Sequence, residues 1–176
     1  MISYVVFPLA LIVLVLFLGS AAVAGLKAAP WVPSWGSDLQ RLTKPLKLSA
    51  GDKVYDLGAG DGRLVRYLAN NYGVQAVGIE LSIVPYLYAK IRQWLYRGQG
   101  TVAIVYGDFY KRDLTDATAI VCFLTPSAMK KLAPKFKKEL KPGTIVASYA
   151  FRIIDWPTID YSKPTKRSTP IYFYEI

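Results

Sequence analysis

At 176 residues the chain has room for one domain and an appendage, and its 22 lysines and arginines against 12 acids leave a net charge of +10. The absence of histidine excludes histidine-based acid–base chemistry and most zinc sites, and the single Cys122, set in an apolar run, cannot form an internal disulfide. Hydrophobic residues make up 53% of the chain, which is high for a soluble domain.

The N-terminus accounts for that excess. Residues 4–26 carry no charge, and at about 1.5 Å per residue such a run matches the ~30 Å hydrocarbon core of a bilayer. A transmembrane helix within residues 1–27 is therefore predicted. A cleaved signal peptide fits less well, because no basic stretch precedes the run. Lys27, Arg41, Lys44 and Lys47 follow it and no basic residue precedes it. The positive-inside rule then puts the rest of a single-pass protein on the cytoplasmic, or equivalent cofactor-containing, side.

Residues 28–49 read as a linker and a short helix. The stretch 29–36 holds two prolines and cannot be regular helix. Its Trp31 and Trp35 suit either the membrane interface or a lid over a pocket, and both readings stand. Ser37 is placed to cap a short helix through Leu42 that ends before Pro45.

Residues 50–176 alternate strand and helix patterns, the signature of an α/β domain with a mainly parallel, doubly wound sheet. Strands are predicted over 53–57, 74–80, 102–106, 119–124 and 144–151, with an edge strand near 159–161 and a closing antiparallel strand over 171–176. Helices are predicted over 63–71, over 83–97 with the stripe Val84, Leu87, Tyr88, Ile91, Trp94 and Leu95, and over 129–140. The connection 111–118 is too short for a full helix, so one face of the sheet is expected to be thinly covered.

The first strand ends in Asp56 and turns through Gly58, Gly60 and Gly62 into a helix. Alternate glycines let backbone turn sharply and lie close to a ligand. The following helix would point unpaired N–H groups there, which suits a nucleotide-like or carboxylate-bearing ligand. A dinucleotide fingerprint would need glycine where Arg63 stands, and the Gly-Lys-Ser/Thr end of a P-loop is absent. Glu80 closes the second strand, at the distance from Gly58 where an acid can accept both ribose hydroxyls. Asp108 closes the third. Three acids at successive strand ends behind a glycine turn are more than solvated loop charge.

The D-x-G-x-G-x-G turn with Glu80 and Asp108 resembles the class I, Rossmann-like S-adenosylmethionine-dependent methyltransferases. The resemblance implies S-adenosyl-L-methionine as cofactor, held by Asp56, Gly58, Ala59, Gly60, Gly62, Glu80, Leu81, Asp108 and Phe109. In it the turn carries the methionine part, Glu80 the ribose, Asp108 the adenine amino group, and Phe109 flanks adenine. A narrower resemblance is to the FAM173-like membrane-anchored protein-lysine methyltransferases. It rests on the apolar N-terminus, Pro30-Trp31-Val32-Pro33, the D-L-G-x-G-D-G-R run, V-G-I-E before a Tyr/Trp/Arg-rich helix, and Gly107-Asp108. It implies a lysine-bearing protein substrate in or near a lipid bilayer. The chain departs from that family at Phe123-Leu124-Thr125-Pro126, where a small residue is usual before proline; Thr125 and Pro126, at the end of the fourth strand, are expected to shape the acceptor site. The Asn-Pro-Pro-aromatic motif of base methylases is missing, and a nucleic-acid partner is not expected. Displacement at a sulfonium needs no metal and no covalent intermediate. A small or lipid-soluble acceptor and a non-catalytic donor-binding protein are the alternatives.

Overall fold

The computed structural model describes residues 38–176 and, ahead of them, only positions 6–8, 11, 12, 15 and 19, all helical. The expected membrane helix falls almost wholly outside the described residues, as do the stretch 30–35 and the expected cap Ser37. Among the described residues no helix is long and apolar enough to cross a membrane.

From residue 38 on, four helices and seven strands follow: α1 (Asp38–Thr43), β1 (Lys53–Leu57), α2 (Arg63–Tyr72), β2 (Gln75–Glu80), α3 (Ile83–Trp94), β3 (Thr101–Tyr106), β4 (Ala119–Cys122), α4 (Pro126–Glu139), β5 (Ile145–Tyr149), β6 (Asp160–Ser162) and β7 (Ile171–Glu175). The sheet runs β3-β2-β1-β4-β5-β7-β6. β1 to β5 are parallel, and β7 lies antiparallel to both β5 and β6. The order reverses between β1 and β4, which makes their carboxyl ends the switch point where such sheets bind ligands.

β4 and β5 end sooner than the sequence suggests. Their ladder closes at Cys122–Ser148, and Ala150 at φ 75° has already left the sheet. Helix α3 likewise stops at Trp94 rather than Arg97. The α-helix α1 runs one residue past the expected Leu42, to Thr43, and a 3-10 turn, Lys44–Leu46, carries the chain on through Pro45.

One face of the sheet packs under α1, α2 and α3, where Leu39, Leu42, Leu64, Val65, Leu68 and Ala89 meet Val54, Ala76, Ile104 and Val121. On the other face α4 is the one α-helix among the described residues, with Met129, Leu132 and Phe136 on Leu57, Ile120 and Val146. Between β3 and β4 only a 3-10 turn, Phe109–Lys111, interrupts the connection, and Phe109 and Leu114 fill the gap beside α4. The thin cover foreseen for that face is real.

α1 is pinned at both ends. Asp38 accepts from the Tyr149 hydroxyl and from Arg41 (2.6 Å each), and Arg41 reaches the Ser162 and Thr169 carbonyls (2.9 and 3.0 Å). Thr43 meets the Tyr72 hydroxyl at 2.9 Å. The N-terminal end of α1 therefore lies at the carboxyl end of β5, on the ligand side of the sheet.

Candidate active site

After Leu57 the chain makes its tight turn with Gly58, Gly60 and Gly62 at φ +87°, +54° and +69°. A Cβ disfavours that left-handed region, so conformation alone demands glycine here. The turn is fastened to β2: the Gly58 and Ala59 N–H groups both donate to the Ile79 carbonyl (2.9 and 3.1 Å). Gly78, beneath them, permits this approach. A Cβ on it would lie 2.6 Å from the Ala59 Cβ and 2.9 Å from a Val65 methyl.

Glu80 is only 7% exposed. One of its oxygens accepts the Gly60 N–H and the other the Ser82 N–H, both at 2.7 Å. These bonds orient the carboxylate and leave each oxygen a further lone pair for a hydroxyl. Two further amides are committed, Gly62 to the Ala59 carbonyl (2.8 Å) and Arg63 to the Asp61 side chain (3.0 Å). Five amides of the turn and helix start, those of Gly58, Ala59, Gly60, Gly62 and Arg63, are thus spent within the protein. Next to these amides the site presents carboxylate, that of Glu80.

Asp56 sharpens that conclusion. Its carboxyl is 6% exposed, and no donor among the described residues bonds to it. Burial, reinforced by the charges of Glu80 and Asp61, pushes its pKa up to about 8. A buried acid without a donor is costly unless a ligand supplies one. A cationic ligand with vicinal hydroxyls answers both acids, and an S-adenosyl sulfonium amino acid has that chemistry.

Asp108 is half-buried at the exit of β3, where it caps the 3-10 turn by accepting the Tyr110 N–H at 3.0 Å. The register Glu80–Tyr106 puts it beside the end of β2. Phe109 is 4% exposed and sits in the core against Tyr110, ring centroids 4.6 Å apart. Its ring serves packing first, so any flank it offers a ligand is an edge. Leu81 is partly buried. Thr125 and Pro126 occupy the exit of β4, next to β1. Thr125 is the N-cap of α4, accepting the Ala128 N–H at 3.4 Å, and Pro126 opens the helix. Their first role is to aim the end of β4.

The structure adds three residues to those read from the sequence. Ser82 supplies the second amide to Glu80, Gly78 makes room for the turn, and Leu124 sits where a Cβ on Gly58 would meet it at 3.4 Å. Gly78 lies within V-G-I-E, and Ser82 is a cap-type residue before a helix, so both left a trace in the sequence. Leu124 left none.

Residues 56–160 match the model of the ANTKMT methyltransferase domain. The chain is 38% identical over 133 residues to a protein-lysine N-methyltransferase of Saccharolobus islandicus (strain REY15A), an alignment covering 72% of this chain and 80% of that one. It is 32% identical over 133 residues to the adenine nucleotide translocase lysine N-methyltransferase of Mus musculus, 73% of this chain but 57% of that protein. Among solved structures it is similar to an RNA methyltransferase of Salinibacter ruber in complex with S-adenosyl-L-homocysteine. The TM-score is 0.77 at 29% identity, covering 82% of this chain and 94% of that one.

Proposed function

The chain belongs to the ANTKMT methyltransferase-domain family and is an S-adenosylmethionine-dependent methyltransferase; from that premise we propose that it methylates a lysine side chain of a protein held in or against a membrane. The observation that carries the lysine acceptor is the 38% identity to the Saccharolobus protein-lysine N-methyltransferase across 80% of that protein's length.

The cofactor supplies an electrophilic methyl group on a sulfonium. Glu80, held by the Gly60 and Ser82 amides, is set to accept ribose hydroxyls, and Asp56 is set to pair with positive charge. Asp108, just past the end of β3, takes the adenine amino group in this reading. A lysine acceptor must arrive neutral, which from a pKa of ~10.4 costs roughly 4.6 kcal/mol at pH 7. An apolar approach lowers that cost by desolvation. The edge-to-face pair Phe123–Tyr149, ring centroids 4.9 Å apart at the ends of β4 and β5, supplies such a wall. With no histidine in the chain, the lysine proton leaves to water.

The charge-free run 4–26 supports a single-pass anchor with the catalytic domain on the cytoplasmic or equivalent side. Tethering there raises the effective concentration of a membrane-borne acceptor. The test is transfer of labelled methyl groups by the full chain into membrane fractions separated into protein, lipid and RNA. Label on protein lysine, lost with Asp56→Ala, is the expected result. Label in lipid or RNA instead would replace the acceptor. Donor binding without any transfer would make the protein a non-catalytic binder.

A further inference from the structure

α3 turns its polar side to the sheet. β3 is an edge strand, and its Ile104 donates its N–H to Gln93 Oε1 (2.9 Å) while its carbonyl accepts from Lys90 Nζ (3.0 Å). These bonds close the open edge. Ala89 alone is fully buried. The opposite side presents Val84, Leu87, Tyr88, Ile91, Trp94 and, just past the helix, Leu95, each 43–74% exposed. They share one helical face, and a contiguous apolar face of this kind marks an interaction surface.

Charge says which surface. No acid occurs from 81 to 107. Where the end of α3 meets α2, an open groove of about 380 Å³ is lined by Arg66, Asn70, Arg92, Leu95 and Arg97. None of the three arginines enters an ion pair among the described residues. Each is nonetheless held: Arg66 by the Asp61 carbonyl (2.7 Å), Arg97 by the Trp94 and Tyr96 carbonyls (2.8 Å each), and Arg92 over the Tyr88 ring. Guanidinium groups, Trp and Tyr bordering an apolar face are what a helix in the bilayer interface carries. The described positions of the N-terminal helix do not cover this face, for Val6, Phe7, Leu11, Ile12 and Val15 are themselves 51–75% exposed.

We propose that α3 lies in the headgroup region of an anionic bilayer, its apolar face toward the acyl chains and the Arg66–Arg92–Arg97 groove on lipid phosphate. This contact is separate from the N-terminal anchor and from the identity of the acceptor. α3 begins three residues after Glu80, so docking it brings the mouth of the cofactor site to the membrane surface.

The full chain in lipid nanodiscs tests this. A nitroxide is attached through Leu87→Cys. Cys122 stays unlabelled because it is fully buried and its thiol is pushed up to about 12. Discs of phosphatidylcholine alone are compared with discs that also contain phosphatidylglycerol. The expected result is a fall of about fivefold or more in access of a water-soluble relaxing agent to position 87 in the anionic discs, since each basic residue near such a surface is worth about fivefold in partition. The double variant Arg92→Glu, Arg97→Glu should restore access, and a label at exposed Lys138 on α4 should not respond. Equal access in both lipids overturns the proposal. So does shielding that grows with protein per disc in neutral lipid, which would mark a second copy. Shielding that is the same in every lipid would mark the chain's own N-terminal segment and overturns it too. Retention of the chain by both kinds of disc reads the anchor separately.

Discussion

α3 and α4 are both crossover helices with apolar residues at 3/4 spacing, yet α4 buries Met129, Leu132 and Phe136 to 1% exposure or less while α3 buries only Ala89. The difference lies in what each crosses. α4 joins β4 to β5 in the middle of the sheet and is the one α-helix over that face among the described residues. α3 joins β2 to the edge strand β3, where α2 already covers the inner strands and little sheet remains. Its apolar face is left for something outside the domain. An apolar stripe thus announces that a surface will be covered, and the neighbours decide by what.

Four measurements would break or sharpen that contrast. The largest effect is expected from Phe136→Ala in α4, which should cost about 3–5 kcal/mol in urea unfolding because no second helix can close the cavity. Gly78→Ala should cost about 1–3 kcal/mol, and because the added methyl pushes against Ala59 it should also weaken donor binding in titration calorimetry. An unaltered affinity would show that the turn can shift without harm.

Asp56 gives a pH test. Its folded pKa, about 8, lies above the unfolded value. The stability it contributes is therefore complete below the unfolded pKa and is lost as pH rises through about 8. Binding of a cation runs the other way. Donor affinity should fall about tenfold per pH unit below about 8, with proton release on binding, and Asp56→Asn should flatten the profile. The smallest change is expected from Leu87→Ser on the outer face of α3, within about 0.5 kcal/mol of the parent. A loss of about 2 kcal/mol or more would mean that this face is covered inside the protein.

Much of the site was legible because its residues are special for local reasons. Gly58, Gly60 and Gly62 stand where the backbone needs positive φ, and Asp56, Glu80 and Asp108 stand at strand ends that the α/β alternation locates. The order of elements from 53 to 149 was readable in the same way, since periods of 2 and 3.6 are written along the chain. Strand ends were less so. β4 stops at Cys122, opposite the last residue of β1, Leu57, and next to Ser148 near the end of β5, facts held in other segments.

The sequence by itself determined the parallel α/β domain, the glycine turn, the three acids and the cofactor class they imply, because each depends on neighbours close along the chain. Only the tertiary structure decided that the Gly58, Ala59, Gly60 and Gly62 amides are spent within the protein and that Asp56 has no donor among the described residues. It also decided that α3 closes a strand edge with Lys90 and Gln93 and faces outward with its apolar side. Hydrogen-bond satisfaction and burial depend on which distant segments arrive beside a residue, and packing alone settles that.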